Sequence, residues 1–216
     1  MEITDKKVKK AAGDALEELR NALDRHLGKN RILIMTSDKK WASEEENAKN
    51  REVLQSYLGQ ANFGYNRVEV TYEAAHPALA KGKACDELAY IVYDDLDGGD
   101  MLKVFGKSLG KKFWQDAVLF VDKDQKAYLI FTREDNSAGK PLFSELELGM
   151  FSVEEIGKYF EKIGRKQLSF TKVDKEIPSE RKVFRGWLAE SLIATMKKYG
   201  DKWEEMWESR WSYPGK

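Results

Sequence analysis

RILIMTSDKKWASEEENAKNREVLQSYLGQANFGYNRVEVTYE, residues 31–73, carries a strand, a capped helix and a second strand in one stretch. Ile32, Leu33, Ile34 and Met35 form a short unbroken apolar run, the pattern of a strand buried on both faces. Thr36, Ser37 and Asp38 end it. Ser43 stands three residues before Glu46, the spacing of a capping box: the serine oxygen accepts an amide of the first turn and Glu46 reaches back to the cap. Glu44, Glu45 and Glu46 also favour the positive end of the helix dipole. Val53, Leu54, Tyr57 and Leu58 give the helix an apolar face, and Gly59 is the expected stop. Val68, Val70 and Tyr72 then alternate with Arg67, Glu69 and Thr71, as in a half-buried strand.

Asn47, Asn50 and Arg51 lie at i, i+3 and i+4, on one face of that helix. Two amides and a guanidinium are a donor set for a carboxylate, a phosphate or a backbone turn. One reading is a tie between the helix and the 37–42 loop. The other is a ligand site in which Arg51 holds an anion, the amides orient it, Glu87 acts as base and Gln115 contributes.

Several short motifs repeat the order of a known pattern: Glu46-Asn47 with Asn50-Arg51, Gly64-Tyr65, Val68 to Tyr72, Glu87, and Gln115-Asp116-Ala117-Val118. In these, residues 30–170 resemble a family of uncharacterised phage and bacterial proteins. The chain departs from that pattern at Val70 and Trp114, where the family has Gly, and at Ala89, where it often has Ser. The resemblance implies a fold and a phage or mobile-element origin. It implies no chemistry.

Outward from this stretch, residues 4–27 are expected to form an amphipathic helix ending at Gly28, with His26 facing solvent or capping its last turn. Pro77 and Gly82 mark a loop that includes His76, expected at the surface. Leu88–Tyr93 is expected as a strand, and Met101–Phe113 as a helix capped by Asp100. Lys103, Lys107, Lys111 and Lys112 are placed toward water, and Gly106 and Gly110 are spaced to admit a close neighbour. Residues 117–121 and 127–132 form a hairpin, 143–148 and 167–173 further strands, and Ser152 to Glu155 a second capping-box spacing before a short helix. The fold class is α+β: a mixed, mainly antiparallel sheet flanked by helices, with an N-terminal helix and a C-terminal Trp-rich helical tail. The core domain is placed at 1–173 and a helical extension at 174–216.

The tail concentrates tryptophan. A stripe from Phe184 through Trp187, Leu188, Leu192 and Met196 to Tyr199 continues into Trp203 and Trp207, with Trp211 beside it. Such a face packs on the chain's own core or forms an interface for a partner or a second copy. Trp203, Trp207 and Trp211 are the candidate interface residues.

Composition narrows the function classes. Lys plus Arg and Asp plus Glu are equal at 37 each, which gives no global pull toward nucleic acid or anionic membrane. A single cysteine, Cys85, rules out an internal disulfide and a Cys-based zinc site, and it reads as a small buried residue. No metal, cofactor or membrane span is expected, and the chain reads as cytoplasmic. Two functions follow: an accessory or interaction protein working through surfaces such as the tail, or a small-molecule or nucleotide-directed protein using Asn47, Asn50, Arg51, Glu87 and Gln115.

Overall fold

The structure, a computed structural model, describes residues 14–39, 41–74, 84–94, 100–161, 165–178 and 183–211. His76 and residues 95–99 lie outside them, as do the side chains of Cys85, Phe184, Trp187, Leu188 and Trp211. Seven strands form one sheet: β1 (Arg31–Thr36), β2 (Gly64–Ala74), β3 (Ala84–Asp94), β4 (Ala117–Val121), β5 (Lys126–Phe131), β6 (Glu145–Met150) and β7 (Arg165–Val173). Their order is β6-β5-β4-β1-β3-β2-β7, and every pairing is antiparallel. The two units of the sequence, residues 31–73 and the 117–131 hairpin, thus share one sheet, and β1 lies at its centre.

Helices cover both faces, which explains the unbroken apolar run in β1. Leu33 and Met35 point to one core with helices α2 (Glu44–Gln60), α3 (Met101–Lys112), α5 (Val183–Tyr199) and α6 (Trp203–Trp211). Ile32 and Ile34 point to the other, with α1 (14–24) and the short α4 (Ile156–Glu161). Successive strand side chains face opposite ways, so a strand between two helical layers has no polar side to show. β2 alternates as expected: Val68, Val70 and Tyr72 are buried while Glu69 is exposed.

The α2 capping box is present in both directions. Glu46 N–H donates to Ser43 Oγ at 3.2 Å, and Ser43 N–H donates to Glu46 Oε2 at 2.8 Å. Gly59 does not stop the helix. It runs one residue further, to Gln60, with Ala61 as its C-cap, and Asn62 takes the left-handed turn at φ 57°. Val53 is exposed rather than part of the buried face, which is Leu54, Tyr57 and Leu58. Asp100 makes no side-chain cap to α3, and Ser152 none to the turn after β6; its hydroxyl bonds Glu154 instead.

His26 is not solvent-facing. Its ring stacks on Tyr93 at 3.6 Å, with Nε2 3.2 Å from Glu176, which fastens the chain after β7 to the end of α1. The glycine pair of α3 marks close packing: a Cβ at Gly106 would stand 2.7 Å from Leu33, and one at Gly110 would stand 2.7 Å from Thr132. That approach seats α3 directly on β1 and β4.

The tail is integral to this core. Leu192, Ile193, Met196, Trp203 and Trp207 are buried in the α2–α3 layer. Trp203 meets Tyr57 edge-on at 5.1 Å, and the Trp207 indole N–H donates to Gln60 at 2.9 Å. Within the segment expected as an extension, residues 192–207 thus contribute to the same core as α2 and α3. Trp203 and Trp207 are withdrawn as interface residues, because a sheet covered on one face by two helices alone would leave Tyr65, Tyr90 and their neighbours wet.

Candidate functional site

The polar cluster on α2 converges on Asp38, in the loop after β1. Arg51 grips this carboxylate with two parallel bonds, Nε to Oδ1 at 2.8 Å and Nη2 to Oδ2 at 2.6 Å. Leu88 N–H donates to Oδ2 at 3.0 Å, and Thr36 Oγ accepts the Asp38 amide at 3.0 Å while donating to the Leu88 carbonyl. Gln115 Nε2 donates to the Asp38 carbonyl at 3.1 Å. Asn47 bonds both backbone groups of Lys39. Bonding to Asp38 raises the Arg51 guanidinium above its ordinary value, against the opposing pull of partial burial.

Three of the five candidate residues therefore meet, Asn47, Arg51 and Gln115, and they meet to hold a loop. Asn50 makes no hydrogen bond to Asp38 or Arg51 among the described residues. Glu87 is buried on the opposite side of β3, where the Tyr72 hydroxyl donates to it. Glu87 and Gln115 do border one cavity, but it measures about 20 Å³ and its other walls include Ile34, Val68, Val70 and Phe170. That is the space of a single water. The cluster is a structural lock that fastens the β1 end to α2, β3 and the α3–β4 turn.

A larger opening lies on the other helical layer. A cleft of about 560 Å³ runs between α3 and the α5–α6 junction, within the range of small-molecule sites. Val104, Met196 and Trp203 are its apolar lining, and Lys107, Ser108, Lys111 and Lys112 come from α3. Trp114 and Phe143 complete the aromatic part.

The backbone at those two aromatics is unusual. Trp114 has φ 58° and Phe143 φ 60°, in the left-handed region that bulky residues rarely enter. At Trp114 the cause is visible. Its N–H donates to the Lys111 carbonyl at 3.1 Å and Gln115 N–H to Gly110 at 2.8 Å, the paired bonds of a Schellman stop. The residue in this position is usually glycine. Trp114 is 53% exposed, so much of its indole gains no burial to offset the strain. It is braced instead: Trp41, also exposed, meets it edge-on at 6.1 Å, and the Arg133 guanidinium lies 5.0 Å from its ring. Arg133 is fixed in turn by Asp116 at 3.2 Å and by Asp135 at 2.6 Å.

The lysines of α3 do not simply face water. Lys107 pairs with Glu145 at 3.0 Å, Lys111 with Asp201 at 2.6 Å, and Lys112 with Glu204. Lys111 also lies 5.9 Å from the Phe143 ring. Lys197, exposed on α5, also lines the cleft and has no ion pair among the described residues.

Phe143 in the cleft, and Trp41 and Arg133 against Trp114, carry no distinguishing signal in the sequence, because residues of separate loops are brought together only by the tertiary fold. Trp114 does carry one: it stands just past the expected end of the Met101–Phe113 helix, where glycine is the usual residue. Among the described residues no group of three or more His, Cys, Asp or Glu side chains is placed to hold a metal ion, and no helix is long and apolar enough to cross a membrane. Comparison of the chain with protein-family models, curated proteins and solved structures finds no match.

Proposed function

We propose that this chain is a binding protein, an accessory or interaction protein of the cytoplasm, whose binding site is the α3/α5–α6 cleft. One observation carries the proposal: two bulky aromatic residues are held in left-handed backbone, and both line this cleft. Strain of this kind collects where a protein contacts something outside itself. The resemblance of residues 30–170 to phage and bacterial proteins adds a phage or mobile-element origin to the same proposal. The alternative, a ligand held by Asn47, Asn50, Arg51, Glu87 and Gln115, has less support, since those donors are spent on the loop at Asp38 or separated from it.

A fragment screen by ligand-observed NMR tests this, with the full chain beside a Trp41→Ala/Trp114→Gly variant shown by circular dichroism to be folded. The expected result is a set of aromatic fragments that bind the parent and lose binding in the variant. Fragments that bind both proteins equally, or none that bind the parent, would overturn the assignment.

A further inference from the structure

We infer that the cleft takes a small planar anion of the nucleoside-phosphate class. The inference rests on the cleft being the binding site, as proposed above, and adds the chemistry of its occupant. Two features of the lining define that chemistry together.

The first is the aromatic wall. Trp114 is fixed in place by Trp41 and Arg133, so its indole is rigid before any ligand arrives. A rigid exposed ring is a stacking surface for a planar heterocycle, and stacking of this kind tolerates any base because each has a π-face. Pre-ordering also removes the entropic cost of fixing the ring on binding.

The second is charge. Four ammonium groups line the cleft; Lys107, Lys111 and Lys112 pair with Glu145, Asp201 and Glu204, and Lys197 has no ion pair among the described residues. The lining therefore carries one ammonium in excess, that of Lys197. Lys107 and Lys111 sit one helical turn apart on α3, Ser108 lines the cleft beside them, and Lys197 lines it from α5. An ammonium carries three donors, so a lysine already bonded to one carboxylate keeps capacity for a phosphate oxygen. Lysine is suited to phosphate as a point charge. A neutral aromatic ligand would leave this excess unanswered, and a simple inorganic anion would leave the ring unused.

Isothermal titration of the full chain at low salt separates the components, with adenosine monophosphate, adenosine and inorganic phosphate as probes. The mononucleotides of guanine, cytosine and uracil sample the base. At least one mononucleotide is expected to bind about ten-fold more tightly than adenosine or phosphate. Lys197→Gln should weaken the mononucleotide about ten-fold and leave adenosine unchanged, and raised salt should act in the same direction. Trp114→Gly should abolish binding by both. Adenosine as tight as the mononucleotide would overturn the charge argument, and phosphate alone as tight would overturn the stacking argument. If no mononucleotide binds while aromatic fragments still bind the cleft in the screen above, the ligand class is wrong and the site stands. Silence in both experiments removes the site itself.

Discussion

Arg51→Ala tests whether the α2 cluster is a lock. The Asp38 side chain is 2% exposed and the Arg51 side chain 21%. Alanine removes both guanidinium bonds to Asp38, and the one to Glu44, and leaves a buried carboxylate with the Leu88 backbone N–H as its remaining donor among the described residues. Breaking a buried pair by deleting one partner costs about 3–5 kcal/mol. Arg51 stands at the edge, where water can follow the lost side chain, so the lower end applies: about 3 kcal/mol, or roughly 6–12 °C in Tm for a chain of this size. Urea unfolding of the parent, Arg51→Ala, Asp38→Asn and the double variant gives the coupling directly, provided the slope stays constant. The expected coupling is about 2 kcal/mol, with the double variant less damaged than the two single losses combined. A loss below about 1 kcal/mol for Arg51→Ala, or no coupling to Asp38, would refute the lock and return Arg51 to the list of ligand-binding residues.

Trp114→Gly and Trp114→Ala both delete the indole, but only glycine relieves φ 58°, so glycine should be the more stable by about 1 kcal/mol in thermal melts; alanine equal or better would remove the strain argument. Truncation after Pro178 strips Leu192, Met196, Trp203 and Trp207 from the core, and circular dichroism should show loss of cooperative unfolding rather than a folded smaller protein. Gly110→Ala should cost more than Gly106→Ala, about 1–3 kcal/mol by denaturant midpoint, because Thr132 is held by its bond to the Gln115 carbonyl whereas Leu33 can turn its end methyls aside. Glu154 is lowered to about 2 by the Ser152 hydroxyl, its own backbone amide and Arg20. A carboxylate depressed in the folded state contributes stability above its unfolded value, near 4.5, and loses it as pH falls toward 2. Glu154→Gln should therefore flatten the pH dependence of Tm between those limits, and an unchanged slope would count against the strap between α1 and the turn after β6.

The strands were legible wherever burial imposed a period. The run in β1 and the alternation in β2 each follow from which faces are covered, and the 117–131 hairpin from two apolar runs with a polar link. The Ser43 box was legible because both partners lie within four residues. Ser152 shows the limit of that rule: the same spacing is satisfied by a shorter bond to Glu154, and the box does not form. His26 and the α3 lysines were misplaced because their partners, Tyr93, Glu176, Glu145 and Asp201, are distant in sequence. Arg51 is an intermediate case. The helix face and its tie to the 37–42 loop were legible, but which residue of that loop Arg51 takes, Asp38, was set by where the β1 loop turns back. The cleft was illegible as a unit, since α3, the 132–144 loop and the α5–α6 junction meet only after the sheet is assembled.

The placement of β1 has a consequence for how the chain comes together. It is the first of the described strands in the chain, yet it needs β3 on one edge and β4 on the other, so the amides that face β4 remain unpaired until residues 117–121 have left the ribosome. Two of the helices that close one of its two faces, α5 and α6, follow all seven strands in the chain. Contacts this distant in sequence make folding slow. A nascent chain halted between β7 and α6 would present the aromatic side of its sheet to chaperones, and the arrival of α6 would be the event that hides it.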